Sequence, residues 1–380
     1  MFQSLFGSHL TILAGAGLPR PLPARWLEQW RSAEVALSDR ERSGFELIFD
    51  APREGLLVSD FPILREAALK AGSRLILVAT LGVIPQVLVD GIIETAEFQP
   101  ANGDGPARLK LRGKDLLTVM DQVERETVHP AQGPGEIAAL TILSYAAQGL
   151  VPLVIPPVTA DRPNPVDTIP AQRATDFAYL SDLAQRHDRI FTLIPGPVPG
   201  QSTAYWGPLP RLGIPQRAIT TDMGADTNVS SLTFEAAEAG AAAVTGQVQD
   251  PALGQAVPVM STVPLRPPLA ASPSALNPAT RRTRLFRTEG APSAAQAMGE
   301  AQAQSDATSD TVTVTGDLDT WRYGAILVPR GLVGLRGAGL DHDGFYYVKS
   351  VIHKIAKGAW VQSFTLNREG TGTTTPVVIP

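Results

Sequence analysis

Hydrophobic and polar residues alternate in many short segments of this chain, which is the pattern of half-buried β-strands. Near the N-terminus two such segments, 33–37 and 45–49, are joined by the polar turn SDRERSG, a pattern that indicates a hairpin. Five or more short strands within about 110 residues are typical of a small antiparallel barrel or sandwich. The remaining strand-like runs of this region are 10–13, 74–80, 85–97 and 107–112.

The spacing of apolar residues becomes helical after residue 114. It predicts helices over 115–125 and 135–148, and a clearer helix that begins after Thr175, a good N-cap residue. Two strands, 189–194 and 202–206, follow that helix. Residues 116–210 are therefore predicted to form a helical and mixed α/β insertion.

Strand patterns return in the C-terminal part, where they are interrupted twice. Residues 263–280 are rich in proline and alanine and predict a loop or arm, whereas 291–309 predict an alanine-rich helix. The predicted strands are 229–235, 242–249, 256–260, 311–315, 325–329, 345–355 and 360–367.

The predicted fold class is mainly β with an α/β insertion. Two small antiparallel β-barrel domains are separated by helical and mixed segments. The first barrel comprises residues 1–115, and the second is discontinuous, comprising 211–262 and 281–370.

Composition narrows the classes of function. The 380 residues contain no cysteine, which excludes disulfides, thiol nucleophiles and cysteine-ligated metals. The net charge of −5 has the wrong sign for a protein that grips nucleic acid through its overall field. The chain lacks a run of about 18 apolar residues, so no membrane span is predicted.

The sequence contains no recognisable catalytic or metal-binding motif. No nucleophile elbow, phosphate loop or zinc-protease helix occurs, and the five histidines are scattered singly. Residues 341–344 (DHDG) contain metal-ligating types, but a tight turn requires the same residues and is the preferred interpretation. We predict no catalytic residues, metals or cofactors. The alternative is a carbohydrate- or peptidoglycan-acting β-protein enzyme that uses two carboxylates, a pair the sequence does not identify.

One basic group and three aromatic residues are candidate interface residues, since arginine and large aromatics are enriched at the centres of interfaces. The basic group is also consistent with a solvated edge strand that charge protects from aggregation, and the aromatics are also consistent with a core. The candidates are Arg281, Arg282, Arg284, Arg287, Tyr346, Tyr347 and Trp360.

Three segments together resemble one family. The first is 174–187 with the strand 189–191 and the sequence AYWGP at 204–208. The second is 281–288 with the helix 294–307 and residues 317–323, and the third is the pair 344–353 and 362–368. Their order and spacing, over nearly the whole chain, resemble phage late control protein D and the VgrG hubs of contractile injection systems.

This resemblance implies a structural, non-enzymatic baseplate hub without cofactors. The implied assembly is a homotrimer whose six similar barrels meet a hexameric tail tube or tube-initiator protein, with a trimeric spike protein below. A baseplate wedge or LysM-type adaptor is a further implied partner, and DNA or effector cargo passes through the channel without specific binding. The implied location is a virion tail baseplate or contractile injection particle, assembled in the bacterial cytoplasm. Because the chain ends soon after the second barrel, the spike is expected on a separate protein.

Overall fold

The computed structural model describes residues 8–54, 60–101, 105–157, 165–166, 169–237, 241–250, 254–277, 282–288, 292–375 and 378. The protein is mainly β, as predicted. The N-terminal part contains β1 (Ser8–Gly15), β2 (Arg20–Pro21), α1 (Ala24–Gln29), β3 (Trp30–Ser38), β4 (Gly44–Asp50), β5 (Arg74–Leu81), β6 (Ile84–Gln99) and β7 (Arg108–Asp115).

The middle part is mixed. It contains β8 (Glu124–Val128), α2 (Pro134–Leu143), β9 (Leu150–Val154), β10 (Ala171–Thr175), α3 (Asp176–Arg186), β11 (Ile190–Pro195) and β12 (Ser202–Gly207).

The C-terminal part is again mostly β. It contains β13 (Gln216–Thr220), β14 (Val229–Ala236), β15 (Ala242–Asp250), β16 (Gln255–Ser261), β17 (Ala270–Pro273), β18 (Arg282–Leu285), α4 (Ala294–Ala307), β19 (Val312–Asp319), α5 (Thr320–Tyr323), β20 (Leu332–Arg336), β21 (Gly344–Ala356), β22 (Ala359–Arg368) and β23 (Gly370–Thr373).

A single large sheet unites the two predicted barrel regions. Among the described residues it has 13 strands in the order β14-β19-β22-β21-β3-β4-β7-β6-β5-β1-β2, with β20 pairing with β21 and β13. The two halves meet where β3 pairs antiparallel with β21, from Ser32 opposite Ala356 to Ser38 opposite Ser350. We call this pairing the seam. It makes the two β regions one continuous structure.

Each half of the large sheet covers its own hydrophobic core. Leu47, Leu75 and Leu111 are fully buried in the first core, and Val314 and Leu366 are fully buried in the second. Ile355 and Trp360, from strands of the C-terminal half, pack in the first core. Apolar burial therefore reinforces the seam beyond its backbone hydrogen bonds.

The middle part has its own core around a three-stranded sheet, β11-β12-β9. Thr175 caps α3 as predicted, because its Oγ1 accepts a hydrogen bond from the Ala178 N–H at 3.2 Å. Trp206 is fully buried, and its Nε1 donates to the Leu180 carbonyl at 3.1 Å. This hydrogen bond ties α3 to the sheet beneath it.

The helix predicted over 115–125 is wrong. A 3-10 helix occupies Leu116–Asp121, and β8 then pairs with β10 in a two-stranded ribbon. Leu116, Leu117 and Met120 are buried. Their spacing, which is also that of an α-helix, caused the wrong prediction. All five residues of β8 are exposed. Its sequence therefore lacks the alternation of apolar and polar residues that indicates a half-buried strand.

The strand predicted over 325–329 is also wrong, since this segment has no regular structure. Leu327 is fully buried, but its N–H donates to Gln362 Oε1 at 2.7 Å instead of to a neighbouring strand. A buried amide side chain thus replaces the ladder hydrogen bond that the apolar pattern predicted.

A small separate unit lies between β14 and β19 in sequence. It consists of the sheet β16-β15-β18 with α4 packed on one face. Val244, Val248 and Val259 of the sheet contact Ala297 and Ala301 of the helix. The alanine-rich helix was predicted, and its small side chains allow the close approach of helix and sheet.

The described part of the proline-rich stretch, 263–277, packs on its own chain. Leu269, Ala270 and Ala275 are buried, and β17 pairs with β23. We call residues 263–277 the strap. The sequence predicts a loop or arm here, and its described residues lie against the body of the chain, because acceptor groups elsewhere in the chain hold their backbone.

Asp115 lies fully buried where β7 ends. Its two carboxylate oxygens accept hydrogen bonds from the backbone N–H groups of Ser43, at 2.7 Å, and Leu117, at 3.2 Å. Burial raises the pKa of Asp115 to about 7, although these hydrogen bonds and the nearby Arg42 and Arg330 oppose the shift.

This raised pKa predicts a pH dependence of stability. A carboxyl whose pKa is higher in the folded than in the unfolded state stabilises the protein at low pH, and that contribution is lost as pH rises toward 7. Relative to Asp115→Asn, the wild type should lose a few kcal/mol of unfolding free energy between about pH 4 and pH 8. Urea unfolding of both proteins across this range measures the difference. A difference that does not change with pH would contradict the prediction.

Candidate functional site: the outward face of the large sheet

One face of the large sheet carries the cores, and the opposite face carries polar and small side chains. On β3, Ala33, Val35 and Leu37 are buried, and the alternate residues point away from the core. The same alternation continues through the paired strands on either side. We call the alternate, non-core residues of β14, β19, β22, β21, β3, β4 and β7 the outward face. They are 231, 233, 235, 313, 315, 317, 319, 361, 363, 365, 367, 350, 352, 354, 356, 32, 34, 36, 38, 44, 46, 48, 110, 112 and 114.

Hydroxyl side chains dominate the C-terminal half of the outward face. One row of directly paired residues crosses five strands and contains only serine and threonine: Thr233, Thr315, Thr365, Ser350 and Ser38. In the next row, Ser231 and Ser363 donate to the two carboxylate oxygens of Asp317, at 2.9 and 2.6 Å. The hydrogen bond from Ser363 lowers the pKa of Asp317, so the carboxylate stays ionised.

Charged side chains of both signs dominate the N-terminal half. A row of directly paired positions crosses the seam as Lys354, Glu34, Glu46 and Arg112. Glu46 accepts from Lys110 at 2.8 Å and from Arg112 at 2.9 Å. Burial acts to raise the pKa of Glu46, but these two cations outweigh it and the pKa is lowered. The charges here are therefore largely neutralised locally.

The outward face offers no concentrated charge to an anionic polymer. Tight binding to a phosphate backbone requires a cluster of cations whose charge is not already neutralised. The outward cations, Lys110, Arg112, Lys114 and Lys354, are interspersed with the carboxylates Glu34, Glu46, Glu235, Asp317 and Asp319. Serine and threonine fill most of the remaining positions, and the others are small residues, Asn367 and the apolar Ile48, Ile352 and Val361. The chemistry of this face is that of a hydrated, nearly charge-balanced surface.

The densest cluster of carboxylates lies elsewhere, between the middle part and the strap. Arg211 pairs with Asp310 and with Glu369, the latter at 3.1 Å. Arg266 of the strap pairs with Asp188 and, at 3.6 Å, with Asp310. A cavity of about 160 Å³ adjoins both arginines.

The carboxylates of this buried ionic cluster hold the backbone of the strap in place. Glu369 accepts hydrogen bonds from the backbone N–H of Leu269 and, at 2.6 Å, of Ala270. Asp306 accepts from the Leu265 N–H at 2.6 Å. The carboxylates of the cluster thus pair with arginines and accept hydrogen bonds from backbone N–H groups of the strap. In the part of the chain that the structure describes, no group of three or more metal-ligating side chains occurs.

The structure separates the predicted interface residues into two groups. Tyr346, Tyr347 and Trp360 are at most 3% exposed, so their side chains belong to the cores and are not available at a surface of this chain. The Arg368 guanidinium lies over the Tyr346 ring, and the Tyr346 hydroxyl donates to the His342 carbonyl at 2.7 Å.

The arginines remain exposed. Arg282, Arg284 and Arg287 are all exposed, the first two on β18, and Arg281 lies outside the described residues. They belong to the small unit with α4, whose sheet is separate from the large sheet that carries the outward face.

Sequence reasoning did not identify the outward face. Its signal was present in the strand pattern, where serine, threonine and charged residues alternate with apolar ones. The sequence pattern does not specify which residues of neighbouring strands pair with each other. Without the pairing of β3 with β21, the outward residues of the two halves could not be assigned to one surface.

Comparison with known proteins places the chain among tail proteins by fold. No protein-family model and no curated protein sequence matches it. A tail protein of Neisseria meningitidis MC58 has a TM-score of 0.65 at 13% identity, covering 96% of this chain and 97% of that one. The 43 kDa tail protein of prophage MuSo2 from Shewanella oneidensis has a TM-score of 0.62 at 11% identity, covering 96% and 99%.

A third solved structure extends this likeness to secretion systems. The E. coli c3393 protein, a component of the type VI secretion system described as similar to the T4 tail proteins gp27 and gp5, has a TM-score of 0.55 at 10% identity and covers 93% of this chain and 77% of that one. The chain thus has the fold of phage tail proteins and of related secretion-system components. The fold implied by the resemblance to baseplate hubs is confirmed.

No helix of the described residues has the length and apolar character that a membrane crossing requires.

Proposed function

We propose that this protein is the structural baseplate hub of a contractile tail or injection particle. Three copies form a ring around a central channel and adapt a threefold spike to a sixfold tail tube. The observation that carries this proposal is the seam between β3 and β21, which joins two β regions into one sheet with a continuous outward face. The likeness in fold to tail proteins over nearly the whole chain supports it.

The seam supports a ring because it gives one chain two linked sheet segments. Three such chains present six segments, which is the number a hexameric tube requires. Contacts between copies in a ring of one repeated chain are heterologous and close on themselves. The antiparallel pairing from Ser32 to Ser38 fixes the two segments of each copy relative to each other.

The outward face suits the wall of a channel. Its hydroxyl rows and locally paired charges, such as Glu46 with Lys110 and Arg112, leave little net attraction for a passing polymer. DNA or an effector protein would therefore pass without specific binding. The protein supplies a smooth boundary and performs no chemistry on the cargo.

The proposed partners follow from this position. They are a trimeric spike protein on one side, a tail tube or tube-initiator protein on the other, and a baseplate wedge or LysM-type adaptor at the periphery. The proposed location is the tail baseplate of a virion or the equivalent part of an injection particle, assembled in the bacterial cytoplasm.

The solution mass of the purified chain tests the ring. Light scattering should give about 121 kDa for the chain alone, three times the 40.3 kDa of one copy, or that mass plus three spike chains for a 3:3 complex with a co-expressed spike protein. Electron microscopy of the same sample should show a ring with a central opening. A chain that remains monomeric both alone and with the spike would contradict the proposal.

A further inference from the structure

The β18 strand is an open edge of the small sheet β16-β15-β18. It pairs in parallel with β15, from Arg282 opposite Ala242 to Leu285 opposite Thr245, and no described strand pairs with its other side. All four of its residues are exposed, and Leu285 is 74% exposed. An exposed edge of this kind is able to accept an added strand.

The backbone groups that point to this open edge are defined by the pairing. The Phe286 N–H donates to the Thr245 carbonyl at 2.8 Å, so Phe286 and Arg284 turn their N–H and C=O groups toward β15. These groups alternate in direction along a strand. Thr283 and Leu285 therefore present theirs to the open edge.

The side chains of β18 specify the chemistry of an added strand. Arg282 and Arg284 point to one face of the sheet, and Leu285 points to the other. Neither arginine has a carboxylate partner among the described residues. On its own face Leu285 is in one row with Thr245 and Met260, which is 59% exposed. One face of the edge thus carries two cations, and the other carries Thr283 and the exposed apolar Leu285.

A polar cleft of about 320 Å³ continues the edge beyond β18. It lies between α3 and α4, and Arg287, Thr288 and Glu300 are among its lining residues. Arg287 is exposed and, like the β18 arginines, has no carboxylate partner in the described part of the chain. Arg287 therefore adds a third cation past the end of the strand, although the cleft that it lines also contains the carboxylates of Asp182 and Glu300.

We propose that the open edge of β18 binds an extended segment of a partner protein, which adds as a fourth strand. The segment carries acidic residues at alternate positions, opposite Arg282 and Arg284, and an apolar residue at the next position along the strand, opposite Leu285. This interface uses residues outside the outward face and does not require the ring, so it stands or fails separately from the proposed hub.

A synthetic peptide tests the proposal on the full-length protein. The probe is a fluorescein-labelled peptide of alternating glutamate and valine, and its binding is followed by fluorescence anisotropy. We expect saturable binding that a peptide with lysine in place of glutamate does not show. Two further peptides carry N-methyl groups on all valines or on all glutamates. Because alternate N–H groups face β18, one N-methylated peptide should lose binding and the other should keep it.

Variants of the protein provide matched controls. Thr283→Pro removes an N–H that points to the open edge and leaves the bonds to β15 intact, so it should weaken binding by about fivefold or more, whereas Thr283→Ala should not. Arg284→Gln should also weaken binding, whereas Arg322→Gln, an exposed arginine of α5 beside the large sheet, should not. Circular dichroism and melting temperature check that each variant is folded.

Three results would overturn this inference. Equal binding of both N-methylated peptides would show that charge alone attracts the peptide. Equally tight binding of a single-stranded DNA oligonucleotide would show a general anion surface. Dissociation of a trimer by Thr283→Pro would assign the edge to a second copy of the chain instead of a partner segment.

Discussion

Replacing Glu369 with alanine is expected to lower the free energy of unfolding by about 3 to 5 kcal/mol, because it leaves the buried Arg211 with Asp310 alone and two backbone N–H groups without an acceptor. The Arg211 side chain is only 1% exposed and pairs with Glu369 at 3.1 Å. The same carboxylate accepts hydrogen bonds from the backbone N–H groups of Leu269 and Ala270 in the strap. The substitution therefore removes one charge partner of Arg211 and the acceptor of two backbone hydrogen bonds at once.

Chemical denaturation at pH 7 measures this effect. Glu235→Ala is the control, since Glu235 is exposed on β14 and its replacement should change stability by less than about 0.5 kcal/mol. Limited proteolysis should cut the strap faster in Glu369→Ala than in the control. A loss below about 1 kcal/mol would show that the ionic cluster does not secure the strap.

Replacing His353 with leucine is expected to make the protein more resistant to acid. His353 lies fully buried on β21 at the seam, opposite Val35, and neither ring nitrogen has a hydrogen-bond partner among the described residues. Burial lowers its pKa from 6.5 to about 3. A group whose folded pKa is lowered stabilises the protein above its unfolded pKa and loses that contribution as pH falls toward the folded value.

The expected difference is large. Between pH 7 and pH 4 the wild type should lose about 3 kcal/mol more unfolding free energy than His353→Leu, since each pH unit below 6.5 contributes about 1.4 kcal/mol. Denaturant unfolding at several pH values measures both proteins. Asp115 acts in the opposite direction over much of this range, so only the difference between wild type and variant isolates His353. Parallel profiles would contradict the assigned burial of a neutral imidazole.

Local signals predicted much of the secondary structure. Alternating apolar residues marked β3, β4 and β22 because each has one buried and one outward side, and Thr175 marked the start of α3 because its hydroxyl caps the helix. The resemblance in order and spacing of three segments predicted the class of fold. The strand and helix predictions depend on neighbours within a few residues in sequence, whereas the resemblance depends on the order of segments along the chain.

Contacts between distant residues were not predictable from local pattern. The β8-β10 ribbon is stabilised by pairing between residues about 45 positions apart, and its polar residues give no local sign of a strand. The proline-rich sequence predicted a loop or arm but did not predict what it contacts: Glu369, about 100 residues away, holds the strap by its backbone. The candidate surface depends on the seam in the same way, and Tyr346 is buried because strands far along the chain cover it.

The seam also has a consequence for the synthesis of the protein. Glu34 of β3 pairs opposite Lys354, about 320 residues later in the chain. At a translation rate of roughly 5 to 20 residues per second, the seam edge of β3 stays unpaired for roughly 20 to 60 s on the ribosome. Nascent chains would need protection during that interval, because an unpaired strand edge is a template for aggregation. The seam can therefore form only after β21 has emerged from the ribosome, even if the N-terminal strands have already folded.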